Sequence, residues 1–452
     1  MRPDSPAPMA PRPLIPDSRS PIIERSRSRS LRAVEVPGDR EEPRSRTLRG
    51  RVGPWTGGVW VSNAMEPTAP TAGQRAARVR GTLGWVWTVF GPFVGLVLII
   101  ALFAWLTRDS GAFMSAYNWR TIAVQSVIVG TAALGMTLIM IVGGIDLSVG
   151  SAVALVTVLA ASLVGGFDLP VPMLPGALGG DWLQRLAGGD SVAVPPVPLP
   201  VAMVSGVLLG GLCGLVNGTL ITKLNVVPFI VTLGTMKAFR GLAKWSAGST
   251  SVYIDDADKT PWFKGLLATD ATLPPGIEAQ LSRVPGAAGP VVQEVARLAP
   301  GVWILLGLSV LIALMLRSSL LGRYAYAVGS NEATARLCGL NVSGIKLAIY
   351  SLAGLLTGLA GVMQFTYLGG TGDPTTAEGL ELQVIAAVVI GGGSLSGGEG
   401  RVLGTLIGVL IMSVLNNGSV HAGFPNPVQD IIIGVIIIAA VTLDRLRHRG
   451  DA

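Results

Sequence analysis

Ten apolar runs, each close to the length of a bilayer crossing, constrain this chain more than any other feature. They fall near residues 84–107, 121–142, 147–165, 201–222, 226–247, 302–317, 345–368, 382–398, 402–419 and 428–444. A hydrocarbon core of about 30 Å takes about 20 mostly apolar helical residues. Within lipid every backbone polar group must be satisfied internally, so only helices or a closed barrel can span it. The runs are continuous and lack period-two alternation, which selects helices over strands. The expected fold class is an all-α polytopic membrane protein of about ten transmembrane helices. Sixty glycines fit that class, because small residues let membrane helices approach closely.

Lys and Arg set the orientation, since they concentrate on the cytoplasmic side. With the N-terminus inside, that side collects Arg75, Arg78, Arg80, Lys223, Arg317, Arg323, Arg336, Lys346, Arg401, Arg445, Arg447 and Arg449. The opposite loops at 369–380 and 418–427 contain neither Lys nor Arg, whereas Arg108 and Arg120 run against the trend. Ten spans then return the C-terminus to the cytoplasm.

The net charge of +7 is a property of the leader more than of the spans. Residues 1–64 contain twelve arginines and seven acids, which accounts for five of those charges. The leader, with its run Arg25-Ser-Arg-Ser-Arg-Ser30, has no apolar periodicity and is expected to be disordered. Three readings of it stay open: a solvated tail, an RNA- or lipid-binding arm, or an extension ahead of a start at Met65. The domains are thus residues 1–80 as leader, 81–446 as transmembrane domain and 447–452 as cytoplasmic tail. Elsewhere the charge gives no cause to expect a nucleic-acid partner.

Two isolated cysteines, Cys213 and Cys338, offer neither a disulfide framework nor a zinc spacing. With only two histidines, His421 and His448, no catalytic or metal centre is expected, and no cofactor. Two long segments, 166–200 and 248–300, fall outside in this topology. Loops of that length without structure of their own are uncommon unless functional, so partner docking and tolerated insertion are both open.

The segment Leu395-Ser-Gly-Gly-Glu399 imitates the nucleotide-contacting signature of ATP-binding-cassette ATPases. No G-x-x-x-x-G-K-[ST] phosphate loop accompanies it, and an apolar run precedes it, so it reads as a glycine break in a membrane helix. A similar break occurs at Ile141-Val-Gly-Gly-Ile-Asp-Leu-Ser-Val-Gly150, which shares its pattern with Val389–Gly398. Broken helices recurring in two halves of a transporter often surround the substrate path.

Asp146 lies inside the first break. A carboxylate at membrane depth costs about 2.5–3.5 kcal/mol on insertion scales, so it needs a partner or a role. Asp146 or Ser148 could cap the following helix and still line a path, and Glu381 admits the same two readings. Lys237, Arg240 and Lys244 share one helical face, where the lysines can snorkel to the interface. The polar stretch Gly329–Gly339 reads as a short helix started by Ser330 or Asn331 and stopped by Gly339. A soluble motor could push on such a projecting element.

In order, Gly143–Ser151, Val227–Gly234 with Arg240-Gly241, Tyr326–Gly339, Ile385–Gly392 and Leu415-Asn-Asn-Gly418 resemble the permease family of ribose/xylose-type ATP-binding-cassette (ABC) sugar importers. The resemblance covers roughly residues 84–446. Thr334 departs from a commonly small apolar residue, and Glu399 and Arg401 add charge. The resemblance implies a permease that is not itself an enzyme and that moves a monosaccharide by alternating access in the bacterial inner membrane. It implies a separate ABC ATPase inside, a solute-binding protein outside, a second permease copy and surrounding lipid. It makes Gly329, Asn331, Ala335 and Gly339 the ATPase-coupling segment. Asp146, Ser148, Glu381 and Asn416 are the expected substrate path. An ion-coupled secondary transporter of a small polar solute is the alternative.

Overall fold

A computed structural model of the protein describes residues 91–109, 111–170, 191–255, 260–269 and 288–448. The leader, the last four residues and the middles of both long segments lie outside the described residues. Helices in chain order are α1 (Gly91–Leu106), α2 (Ala116–Ile141), α3 (Val149–Gly165), α4 (Leu199–Leu224), α5 (Pro228–Ser246), α6 (Pro261–Gly265) and α7 (Ala288–Ala296). They continue as α8 (Pro300–Ser318), α9 (Leu320–Ser330), α10 (Glu332–Leu337), α11 (Val342–Tyr367), α12 (Leu380–Ile390), α13 (Val402–His421) and α14 (Asn426–His448).

Among the described residues each apolar run contains a helix, although the run at 382–398 is helical only to Ile390. Five of them, α2, α4, α8, α11 and α13, are long and apolar enough to cross a membrane unaided. Helices α1, α3, α12 and the first part of α14 are shorter apolar helices. At 11 residues, α12 spans only about 16 Å, roughly half a bilayer core. Helix α5 is 19 residues long but holds Lys237, Arg240 and Lys244, which lower its apolar character.

Helix α2 is the centre. Every residue from Ser126 to Ile141 is buried, and α8, α11, α12 and α13 all pack on it. A helix apolar on all sides is stable only when enclosed or in lipid.

The closest packing joins α4 to α11 through glycines. A Cβ on Gly214 would strike Tyr350 O and come within 2.8 Å of Gly354 Cα, while one on Gly358 would lie 2.6 Å from Val207 O. Gly210 faces Gly358 in the same way. The pairing sums to a constant, so the two helices run antiparallel, each with a G-x-x-x-G face. On its other side α4 presents Val204, Leu208, Leu212 and Leu215, all exposed, as a lipid-facing helix requires.

The long segments are structured at their ends, which the sequence reading did not anticipate. Strand β1 (Phe167–Pro170) pairs antiparallel with β2 (Ser191–Val194), closing the 166–200 segment at its base. Strand β3 (Val252–Tyr253) pairs with β4 (Thr371–Gly372), tying the 248–300 segment to the α11–α12 loop. Phe263 of α6 is fully buried, with its ring centroid 5.5 Å from that of Phe365. Arg120, the cation that ran against the charge trend, sits 3.7 Å from Glu294 of α7, which also pairs with Arg297.

Candidate functional site

The two glycine breaks are built alike. After α2, Gly143 turns left-handed (φ +76°), donating its N–H to Met140 O at 2.9 Å, and Gly144 N–H reaches Ile139 O at 2.9 Å. After α12, Gly392 does the same (φ +88°): Gly392 N–H to Val389 O at 2.9 Å and Gly393 N–H to Val388 O at 2.8 Å. Both are Schellman caps, in which a residue without Cβ reverses the chain and closes two orphan carbonyls. The structural register differs by one from the sequence match: Gly143 corresponds to Gly392, not Gly391. The extra glycine of the second copy, Gly391, instead fills a close approach to Gly404.

The breaks touch each other. Gly398 N–H donates to Ile141 O at 2.9 Å, and a Cβ on Gly397 would come within 2.9 Å of Gly143 Cα. Nearby, Thr137 of α2 and Thr405 of α13 share a hydrogen bond of 2.7 Å.

Asp146 is buried in the first break, 6% exposed. Its Oδ1 accepts the N–H of Ser148 at 2.7 Å and the hydroxyl of Ser148 at 2.6 Å. Asp146 thus closes a turn onto Ser148, the residue ahead of α3, and neither side chain bonds the first-turn N–H groups as the expected cap would. Asn217 Nδ2 of α4 donates to Ser148 Oγ at 2.8 Å and lies 3.4 Å from both carboxylate oxygens. Asn217 went unnoticed in the sequence, where a lone amide within the apolar run 201–222 was its only signal. An Asn217→Ala variant is expected to lose about 1–3 kcal/mol, the cost of stripping a buried acceptor. Asn217→Asp, which sets a second carboxylate beside the first, should cost more. Thermal unfolding of the detergent-solubilised protein measures both.

Glu381 does not join Asp146. It lies in the first turn of α12, where a Cβ on Gly150 would strike its Oε2. Arg240 reaches in from α5 and donates to Pro374 O at 3.0 Å and Thr376 O at 2.6 Å, fixing the loop ahead of α12. Lys237 and Lys244 stay exposed, as snorkelling requires.

Asn416 lies elsewhere again, in the wall of a cavity of about 820 Å³ at the opposite end from the breaks. The cavity is lined by the start of α2, the end of α11, the start of α12, the end of α13 and the start of α14. Its polar lining consists largely of neutral amides, among them Gln125, Gln364, Gln383, Asn416, Asn417 and Gln429. Asn416 Nδ2 donates to Gln383 Oε1 at 3.2 Å. Ser413 and Asn417 also line it, while the atoms Ser413 Oγ and Asn417 Oδ1 are themselves buried and make no hydrogen bond. Among the described lining residues the carboxylates are Glu378 and Asp430, both exposed, and His421 also lines it, its Nε2 3.0 Å from Asn118 Oδ1.

The polar segment 329–339 forms the predicted short helix. Asn331 Oδ1 accepts Thr334 N–H at 2.9 Å at the start of α10, and Gly339 (φ +80°) ends it. Glu332 binds Arg336 and Lys346, each at 2.7 Å. Of the four residues expected to meet an ATPase, Asn331 and Gly339 are exposed and Ala335 faces inward, 4% exposed against Val328, Val342 and Ile345. Gly329 packs on the breaks: a Cβ there would strike Ile141 O. Leu337, which sequence reasoning passed over as part of the helix, is 89% exposed.

Hydrogen bonds from Arg336, then Lys346, hold the Glu332 carboxyl below the usual carboxylate range. A lowered pKa in the folded state means that the stabilisation is complete above the ordinary pKa. It is lost as the pH falls through the lowered one. Hydrogen exchange of the α10 amides should therefore be unchanged between about pH 6 and 8 apart from intrinsic rates, and protection should fall only in acid. Glu332→Gln should remove that acid step.

The family described as "Branched-chain amino acid transport system / permease component" matches residues 118–441. The ribose import permease protein RbsC of Escherichia coli strain K12 is 36% identical over 357 residues, covering 78% of this chain and 93% of that protein. The D-allose transport system permease protein AlsC of the same strain is 32% identical over 364 residues, covering 80% and 92%. The L-arabinose ABC transporter permease protein AraH of Azospirillum brasilense is 31% identical over 392 residues, covering 86% and 98%. No solved structure matches the chain. With its apolar helices, its paired glycine breaks and a match over most of its length, the chain belongs to the permease-component family of the branched-chain amino acid transport system.

Proposed function

We propose that the chain is the membrane-spanning permease of an ATP-driven importer and that it moves a monosaccharide by alternating access. Relatives named for ribose, allose and arabinose support the substrate class. The chain is a transport component and not an enzyme: ATP is hydrolysed on a separate subunit, which docks on α10 at the cytoplasmic face. In this reading the chain crosses the bacterial inner membrane ten times and both termini are cytoplasmic. The 820 Å³ cavity then opens outward, where a solute-binding protein delivers its cargo to two permease copies set in lipid. Asp146, Ser148 and Glu381 shape the path deeper in, and Asn416 lines its mouth.

The single observation that carries the solute assignment is the cavity's lining: mostly neutral amides and hydroxyls, with no Lys or Arg among the described residues. Such walls suit a neutral polyol better than an ion. An ion-coupled carrier would need a relay of ionisable groups along the path, and the proposed path holds only the separate carboxylates Asp146 and Glu381 beyond the cavity.

Uptake of labelled ribose, allose and arabinose by cells producing the protein tests this reading. An Asn417→Leu, Ser413→Ala double variant should cut uptake at least tenfold at unchanged membrane abundance. Undiminished sugar uptake in that variant, or uptake of leucine in place of any sugar, contradicts it.

A further inference from the structure

Three elements that are far apart in sequence meet at the break end of the bundle. Gly329, the next-to-last residue of α9, is wedged against Ile141 O and lies close to Gly398 N–H, the two groups that bond one break to the other. Gly397 closes the triangle: a Cβ there would lie 2.8 Å from Gly329 O and 2.9 Å from Gly143 Cα. Three residues before Gly329, the Tyr326 hydroxyl donates to Gly400 O at 2.7 Å, just ahead of α13. Ser330 continues the contact, since a Cβ on Gly398 would come within 3.0 Å of its Cα.

We propose that Tyr326 and Gly329 form a latch that carries motion of α10 to both glycine breaks at once. The inference rests on α10 being the ATPase contact. Asn331 joins α9 to α10 with a single extended residue, so a push on α10 reaches Gly329 over three peptide units. At Gly329 the contact is backbone on backbone, which leaves no side chain to absorb the displacement by changing rotamer. Close-packed interiors transmit such strain because they are nearly incompressible. The receiving elements are turns, not helices: each break ends one helix and begins another, the first with one left-handed glycine, Gly143, and the second with three, Gly392, Gly397 and Gly398. Movement there re-aims α3 and α13 together. Helix α13 runs to the cavity wall at Ser413, Asn416 and Asn417, and α3 begins beside Asp146. Both residues are positioning residues, since neither meets the solute nor the ATPase.

Reconstitution of the permease with its ATPase and binding protein in proteoliposomes tests the latch, reading solute moved per ATP hydrolysed. Tyr326→Phe removes one oxygen from the surface of the packing and should leave ATPase association and turnover within twofold of the unaltered protein. Solute moved per ATP should fall at least threefold. Gly329→Ala should lower the same ratio at least tenfold. If Gly329→Ala does not accumulate in the membrane, the phenylalanine variant decides. An unchanged ratio in Tyr326→Phe overturns the latch, and so does a loss of uptake that merely follows loss of bound ATPase. Absence of ATP-dependent uptake in the unaltered protein would instead overturn the importer reading, and the latch with it.

Discussion

Replacing Gly214 or Gly354 by leucine is expected to remove folded protein from the membrane almost completely. These two glycines face each other where α4 crosses α11, and each lacks room for even one further carbon. A Cβ on Gly354 would lie 2.5 Å from Gly210 O and 2.8 Å from Gly214 Cα. In lipid there is no hydrophobic force to press helices together, so close van der Waals packing of small residues carries the association. Overpacking by a few methylenes costs about 1–3 kcal/mol in a tolerant core. Here the obstacle is backbone on both sides, so leucine must part the helices. That separation also lifts Asn217 from Asp146, since Asn217 lies one turn from Gly214 on the same face of α4. Gly307→Ala on α8 is the control: nothing lies within 4 Å of its added carbon. The exchange should be neutral or should stabilise by about 1 kcal/mol through helix propensity. Yield after detergent extraction, with size-exclusion profiles, distinguishes the two outcomes.

The second large effect is expected at Leu337. It is 89% exposed on a short polar helix outside the apolar runs, where neither lipid nor core covers it. An exposed apolar side chain on a rigid projecting element is the kind of anchor that a partner's pocket buries. Leu337→Asp should therefore reduce ATPase co-isolation at least tenfold while extraction yield and thermal unfolding stay as before. Ala335→Asp should behave differently. Its side chain points into the packing beneath α10, so the change should lower stability as well as association. The contrast separates the surface that meets a partner from the contacts that seat the helix.

Much of this architecture was legible in the sequence because it depends on local rules. The length of the apolar runs, the glycine reversals after Ile141 and Ile390, the Asn331 cap and the Gly339 stop are written within a few residues each. What escaped depends on partners distant in the chain. Asn217 is an ordinary helix residue until the fold sets it 2.8 Å from Ser148 Oγ. Arg240 reads only as a cation on the face of two snorkelling lysines until the α11–α12 loop offers it two carbonyls. The register of the second break was misread because Leu395-Ser396 matches Leu147-Ser148 only when Gly391, the first of three consecutive glycines, is set against Gly143. Only the hydrogen bonds to Val388 O and Val389 O select among them. Likewise the sequence named Asp146, Ser148, Glu381 and Asn416 together. The fold groups only the first two and places Asn416 with the amides of the cavity.

Sugar uptake with and without ATP tests the central claim most directly. In inverted or right-side-out membrane vesicles the orientation changes the access of ATP, so the assay is best run in proteoliposomes loaded with ATP and a regenerating system. The permease is co-reconstituted with the ATPase with which it co-isolates and with its external binding protein. The importer reading predicts accumulation of sugar above its external concentration with ATP inside, and none when ATP is omitted or replaced by a non-hydrolysable analogue. Accumulation that continues without ATP and collapses when the proton or sodium gradient is dissipated would contradict it.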